Sequence, residues 1–453
     1  MNGGRRRPAR RQRRHIDPVR RAAFDALRAV SAHDAYANLI GAEILGERKI
    51  TGRDAAFATE LINGTCRLQG TYDRIIVAAS GRELKSLQPA VVDVLRLACH
   101  QLLSMRVPTH AAVTASVDLA ATAIAERVTG LVNAITRKIA AHGLDGWINE
   151  ILASNEELAA DPLAVLALRT HHPRWIVAAY ADVLPADELE PALLANNIAP
   201  VTSLAIRPGL CTVDELVEAG AEPNDQVSTA AFWHGNPADV AAVRQGRAGV
   251  SDPGSQFMAN RLAAADKPAG PWLDLCAGPG GKAALLAGHA IAAGERLTAS
   301  ELRPHRAELV SKALRCYAGP EAPDPELAPR VLTADATNPP WQPGSFALVM
   351  ADVPCTGLGA LRRRPESRWR RTEDDLADLV ALQRSILNSA IDSAAPGGVV
   401  GYVTCSPHRA ETTEVVDAVL ASRDDVERIE PDRQLWPHRD GTDAMFGALL
   451  RRR

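Results

Sequence analysis

The chain has 453 residues, 46% of them hydrophobic and 23% charged, a balance that indicates globular domains and leaves length for two or three of them. No apolar run reaches the roughly 18 residues of a membrane span. The seven cysteines include no C-x-x-C pair, which argues against a disulfide framework or a zinc cluster and for a reducing, cytoplasmic compartment. The net charge of −3 argues against a nucleic-acid partner only as a sum, because residues 5–14 hold seven arginines and 362–371 hold six.

Residues 1–15 form a basic, low-complexity arm to which no fold is assigned; it is either a solvated tail or a phosphate-binding arm. It lacks the apolar stretch of a secretory signal. Asp17 and Pro18 are an N-cap and first-turn pair, and Val19, Ala22, Ala23, Ala26, Leu27 and Val30 follow at helical spacing. The same pattern recurs over 35–45, 53–68, 71–79, 89–105 and 111–123, with hardly any strand-like alternation before residue 150. This predicts an all-helical domain over 16–145. The stretch 146–162, with Gly146, Asn149 and Asn155, reads as a linker. Residues 163–255 mix short helices (175–183, 188–196) with a candidate strand (201–206) and read as a small α+β module. From 256 to 453, strands at 271–276, 296–300, 330–334, 346–352 and 398–404 alternate with helices, notably 256–264, 303–317 and 372–394. That alternation predicts a doubly wound parallel sheet, with a ligand beyond the carboxyl ends of its strands.

The stretch PWLDLCAGPGGKAA (271–284) reads as strand, glycine-dense turn and helix start. Gly278, Gly280 and Gly281 let backbone amides approach a ligand closely. A Walker A loop is excluded because Ala283, directly after Lys282, stands where it needs Ser/Thr, and a dinucleotide fingerprint fails because Ala283 stands where it needs a third Gly. A nucleoside-like cofactor without a pyrophosphate remains, and S-adenosyl-L-methionine fits best. Glu301 closes the second strand about 20 residues after the loop, where an acid accepts hydrogen bonds from ribose hydroxyls. Asp335 closes the third strand, near the expected adenine edge. Asp352 precedes Val353-Pro354-Cys355, and Cys405 follows the fifth strand in YVTCS. An acid at one strand end is often only a helix cap; several acids and two thiols on successive strand ends form a constellation.

The thiols narrow the chemistry. Carbon 5 of a pyrimidine is a poor nucleophile, and a thiolate adding to carbon 6 makes carbon 5 enamine-like and able to accept a methyl group. Methylation at oxygen or an exocyclic nitrogen needs no cysteine. Cys66, Cys99 and Cys211 lie in apolar patterns and read as small buried hydrophobes.

DLCAGPGGK, ADVPCTGLGALRRRPESRW and YVTCS, in this order, resemble the NOL1/NOP2/Sun family of RNA 5-methylcytosine methyltransferases over the whole C-terminal half. The helical first third (RDAAFATELINGTCRLQGTYDRII, PAVVDVLRLACHQLL, VNAITRKI) resembles NusB-like RNA-binding domains. The resemblance implies an α plus α/β multidomain fold: a NusB-like domain, the small module, and a Rossmann-like methyltransferase domain. It implies Cys405 as nucleophile and Cys355 as the thiol that assists release of the RNA from the adduct. Cys276, Ala277, Gly278, Pro279, Gly280, Gly281, Lys282, Glu301, Asp335 and Asp352 match cofactor-contacting positions, with Asp352 also reaching the target base. The expected product is S-adenosyl-L-homocysteine and the expected substrate small-subunit (16S) ribosomal RNA. A tRNA substrate, or a non-catalytic antitermination-like factor, is the alternative. The expected protein is a cytoplasmic monomer without metal or membrane partner. Two departures stand out: Gly278 and Ala283 where the family usually shows Ala and Thr, and Glu411-Thr412 in place of Glu-Asn. The run 362–371 offers Arg362, Arg363, Arg364, Arg368 and Trp369 for gripping a single strand by phosphate contact and stacking, or else forms a solvated face.

Overall fold

The computed structural model describes Arg14 and residues 17–33, 35–319 and 322–453, so nearly all of the basic arm lies outside the described residues. Two compact units result. One holds the described residues up to Arg174 together with Arg364–Trp369; the other holds Trp175–Arg363 and Arg370–Arg453.

The first unit is all-helical, as expected. Its helices include Pro18–His33, Gly52–Arg67, Gln69–Ser80, Pro89–Leu103, Thr109–Ala123 and Thr129–Ile139. Asp17 caps the first, its Oδ1 accepting from the backbone N–H groups of Val19 and Arg20 at 3.0 and 3.1 Å. Leu61, Ile75, Leu95, Val132 and Ile139 pack in one core. The linker expected at 146–162 is corrected. The helix Leu144–Ala153 buries Trp147, Ile148 and Ile151 in that same core, and the Trp147 indole donates to the Ile139 carbonyl at 2.9 Å. Gly146 and Asn149, which suggested a break, lie on the exposed side, where a helix tolerates them.

The second unit contains two sheets. Strands β1 (Thr202–Ile206), β2 (Glu222–Pro223), β3 (Ala230–Trp233) and β4 (Ala248–Val250) form an antiparallel sheet in the order β2-β3-β1-β4. The larger sheet is built from β5 (Trp272–Asp274), β6 (Leu297–Glu301), β7 (Arg330–Thr333), β8 (Phe346–Asp352), β9 (Ala394–Thr404), β10 (Val426–Arg428), β11 (Arg433–Gln434) and β12 (Phe446–Arg452). Its order is β10-β12-β9-β8-β5-β6-β7, with β11 paired to β12. Strands β5 to β9 are parallel, so their carboxyl ends share one edge. The five strands expected from the sequence are therefore parallel as expected; the sequence reading does not include the final strands, where β12 runs antiparallel to β9, β10 and β11. The short return from β11 to β12 has no room for the crossover a parallel strand needs.

Alternation along β8 distributes the core. Leu348 and Met350 face the helices Pro253–Ala264, Gly281–Ala292 and Pro304–Leu314; Val349 and Ala351 face Asp375–Ser393 and Thr413–Ser422. The chain runs β5-β6-β7 to one side and then returns to β8 on the other. The switch point between β5 and β8 is where such sheets open a ligand crevice.

Candidate active site

The register of the parallel strands brings Asp352, Cys355 and Cys405 to one edge. Asp352 on β8 stands opposite Val403 on β9, and the Val353 N–H donates to the Val403 carbonyl at 3.0 Å. The residues leaving β8 and β9 therefore travel side by side. Cys355 Sγ and Cys405 Sγ end 3.3 Å apart. Gly359 closes the next turn over them: its N–H donates to the Cys405 carbonyl and its carbonyl accepts from Ala444 N–H, both at 2.9 Å. A Cβ on Gly359 would fall 1.9 Å from the Ala444 oxygen, so only glycine fits.

The glycine loop stands at the neighbouring strand end. Ala277 N–H donates to the Ser300 carbonyl at 2.8 Å, tying the loop to β6. Gly280 has φ of +111° and starts the helix; an added Cβ would sit 2.6 Å from Ala313 Cβ. Gly278 explains one departure from the family pattern, since a Cβ there would lie 2.1 Å from Glu301 Oε2 and 2.8 Å from the Arg306 guanidinium. Glycine leaves Glu301 room to lie against the loop. Glu301 is nearly buried, accepts from Arg303 N–H at 3.0 Å, and has Arg306 at 3.5 Å. Asp335 is exposed beyond β7 and accepts from Thr337 N–H at 2.8 Å, which helps hold its carboxyl below the usual range.

The electrostatics divide these groups. Asp274 is fully buried and its oxygens accept no hydrogen bond of ordinary geometry; burial, then the charge of Asp352, pushes its pKa up to about 8. Lys282 reaches Asp352 Oδ2 at 2.8 Å. Burial alone would lower Lys282, but Asp352, Cys405 and Asp274 outweigh it and raise its pKa. Cys276 is pushed well up, first by burial and then by Asp274, Asp352 and Glu301, so it is an inert wall of the loop rather than a nucleophile. Cys355 is also held well above the ordinary thiol range, first by its hydrogen bond to Cys405, then by burial and by the charges of Cys405 and Glu411.

The arginine run is corrected as a single-strand grip. Arg368 is fully buried and donates to the His171 carbonyl at 3.0 Å; the Trp369 indole donates to the Cys66 carbonyl at 2.8 Å, with its ring packed on Gly70. Arg362 is buried 3.5 Å from Asp252 and 3.6 Å from Asp443, and Arg363 Nε donates to Asp443 at 2.8 Å. Arg364 stacks over the Tyr36 ring at 4.8 Å. A run that spells phosphate binding is spent on internal partners, and buried guanidinium groups require such partners. Sequence reasoning missed Asp252 and Asp443, whose signal is visible only once the arginines are seen to turn inward. It also missed the use of Glu411, noted only as part of a departure.

A family model described as 16S rRNA methyltransferase RsmB/F matches residues 261–451, and one described as NusB family matches residues 17–141. Protein Rv1407 of Mycobacterium tuberculosis, provisionally named a methyltransferase, is 46% identical over 97% of this chain and 98% of its own. Ribosomal RNA small subunit methyltransferase B of Vibrio cholerae is 29% identical over 95% of this chain and 97% of its own. The crystal structure of PH0851 shares the fold, with a TM-score of 0.80 at 22% identity over 96% of this chain and 99% of that one. The chain belongs to the RsmB/F family of methyltransferases and carries an N-terminal NusB-family domain.

Proposed function

We propose that the protein transfers a methyl group from S-adenosyl-L-methionine to carbon 5 of a cytosine in small-subunit ribosomal RNA, through a transient bond between Cys405 and carbon 6. The observation that carries this reading is the pair of thiols 3.3 Å apart at the carboxyl edge of the sheet, beside the Lys282–Asp352 ion pair. The site suits the methyl donor. Asp274 is a buried carboxyl without an ordinary hydrogen bond, Glu301 lies against the glycine loop, and the space over Gly281 is open, with Ser251 Oγ the nearest atom to an added Cβ at 3.7 Å. Residues 276–282 with Glu301, Asp335 and Asp352 would hold it. Bound there, it supplies an electrophilic methyl group and leaves as S-adenosyl-L-homocysteine.

The chain's own groups do the rest. Cys405 Sγ, as thiolate, bonds to carbon 6 and moves the ring electrons toward carbon 5. Asp352, oriented by Lys282, hydrogen-bonds the base. Once carbon 5 is methylated, its proton leaves to a base, the Sγ–carbon 6 bond breaks, the ring double bond returns, and Cys355 assists this release. The name of the Vibrio cholerae relative and the NusB-family domain support a ribosomal RNA substrate. A base must be unstacked to meet the two thiols, which favours a loop or a partly assembled RNA.

Denaturing gels test the assignment. Cys355→Ala, incubated with the methyl donor and 16S rRNA, is expected to accumulate a slow-migrating protein–RNA adduct. Cys405→Ala is expected to show neither adduct nor methyl transfer. Methylation of carbon 5 by Cys405→Ala overturns the nucleophile assignment.

A further inference from the structure

Two equivalent thiols at 3.3 Å pose a question that the motifs leave open, namely which of them holds the proton. The polar groups packed around the pair differ sharply. On the Cys355 side lies Glu411, fully buried in the turn Arg409–Glu411. Its Oε1 accepts from Thr356 N–H at 2.8 Å and from Gln383 Nε2 at 3.0 Å, and its Oε2 accepts from the Thr356 hydroxyl. Gln383 also donates to the Pro354 carbonyl at 2.9 Å, so the residues on both sides of Cys355 are pinned. Thr356 Oγ lies 3.2 Å from Ser406 Oγ, which carries the same network to the residue after Cys405. The Tyr402 hydroxyl donates to the Glu411 carbonyl at 2.8 Å and fixes the turn from the sheet.

Cys405, by contrast, interacts electrostatically with two cations, each bonded to a carboxylate: Lys282, held by Asp352, and Arg363, held by Asp443. Arg363 is brought there by the backbone stitch in which Gly359 bonds both Cys405 and Ala444, the residue after Asp443.

We propose that Glu411 is the positioning residue that assigns the two thiols their roles. By pinning Thr356 and facing Cys355 with a negative charge, it keeps the pair's shared proton on Cys355 and leaves Cys405 as the thiolate. The proton on Cys355 is donated in a hydrogen bond to Cys405, and the cations facing Cys405 stabilise the negative sulfur. The high pKa of Cys355 agrees with this division. The inference rests on Cys405 being the nucleophile of the proposed reaction, but its test needs neither RNA nor methyl transfer.

Glu411→Gln removes the charge and keeps the network. The amide oxygen accepts from Thr356 N–H and Gln383, while the amide nitrogen donates to Thr356 Oγ, whose own hydroxyl turns to Ser406. Wild type and variant are treated with limiting iodoacetamide from pH 6 to 10, and labelling of Cys355 and Cys405 is quantified by peptide mass spectrometry alongside the melting temperature. In wild type, Cys405 is expected to label about tenfold faster than Cys355 or more at pH 8, the factor that one pKa unit gives in thiolate fraction. In folded Glu411→Gln, that ratio falls several-fold and the Cys355 profile moves to lower pH. Glu411→Asp, which keeps the charge, retains most of the wild-type ratio. An unchanged ratio in folded Glu411→Gln overturns the proposal. Should that variant fail to fold, wild type still decides: faster labelling of Cys355 at neutral pH overturns the proposal, and faster labelling of Cys405 supports it. An adduct gel that fails while the labelling ratio behaves as expected removes the cytosine chemistry and leaves the thiol assignment standing.

Discussion

In the helical unit, Arg96 bonds Asp73 at 2.7 and 2.8 Å and Asp93 at 3.0 Å, while Arg28 reaches Asp93 from the other side at 2.8 Å. Asp93, buried there, thus has two cations, one of which it shares with the half-buried Asp73. At the edge of the large sheet, Asp274, Glu301 and Asp352 gather around the glycine loop with Lys282 among them, and fully buried Asp274 has no ordinary hydrogen bond. Paired charges in a core specify structure. Carboxylates left short of partners at a strand edge keep their capacity to bind something else, and they weigh on stability until they do.

Breaking the paired side should cost most. Arg96→Met strips Asp93 and Asp73 of their shared cation and should destabilise the helical unit by about 3–5 kcal/mol, the usual effect of orphaning one half of a buried pair. Urea denaturation of the full chain, followed by a helical signal, checks this. A loss under about 1 kcal/mol would mean that Arg28 compensates, and that the pairing is less structural than its geometry suggests.

Relieving the unpaired side should have the opposite sign. Burial raises the pKa of Asp274 in the folded state to about 8 from the ordinary carboxyl value of 3.8, so between these values the folded state binds the extra proton. Its contribution to stability is therefore full below about pH 4 and is lost as pH rises through 8. From pH 5 to 7, wild type should lose up to about 1.3 kcal/mol per pH unit relative to Asp274→Asn. The same substitution should weaken binding of the methyl donor if that carboxyl faces it. Parallel stability curves for the two proteins would show that Asp274 is ionised in both states.

The smallest expected effect tests the loop. Gly278→Ala places a methyl group where Glu301 now lies, and overpacking strain of about 1–3 kcal/mol should weaken donor binding roughly tenfold with little change in fold. Calorimetric titration with S-adenosyl-L-methionine reads it. Unaltered affinity would show that Glu301 can move without cost, and that the usual alanine of the family suits this chain equally well.

Much of the site was legible because its signals are local. The Asp17-Pro18 start, the glycine loop between a strand and a helix, and the residues at the ends of β6, β8 and β9 each depend on neighbours within one turn or one strand. Trp147 was less legible, because Gly146 and Asn149 suggested a break while its burial depends on helices distant in sequence. The arginines of 362–371 misled for a related reason. Composition counts their charge, but only the fold supplies Asp252, Asp443 and the His171 carbonyl as their partners.

What the sequence alone determined, then, is the order of elements, the glycine loop and the kinds of reactive group at one sheet edge, because periodicity and turn chemistry act over a few residues. The tertiary structure decided the 3.3 Å between the two sulfurs, the antiparallel return of β12 and the bonding of Glu411 to Thr356 and of Lys282 to Asp352. Those are matters of strand register and Coulomb interaction between groups tens to hundreds of residues apart, and such distances are set only when the sheet closes.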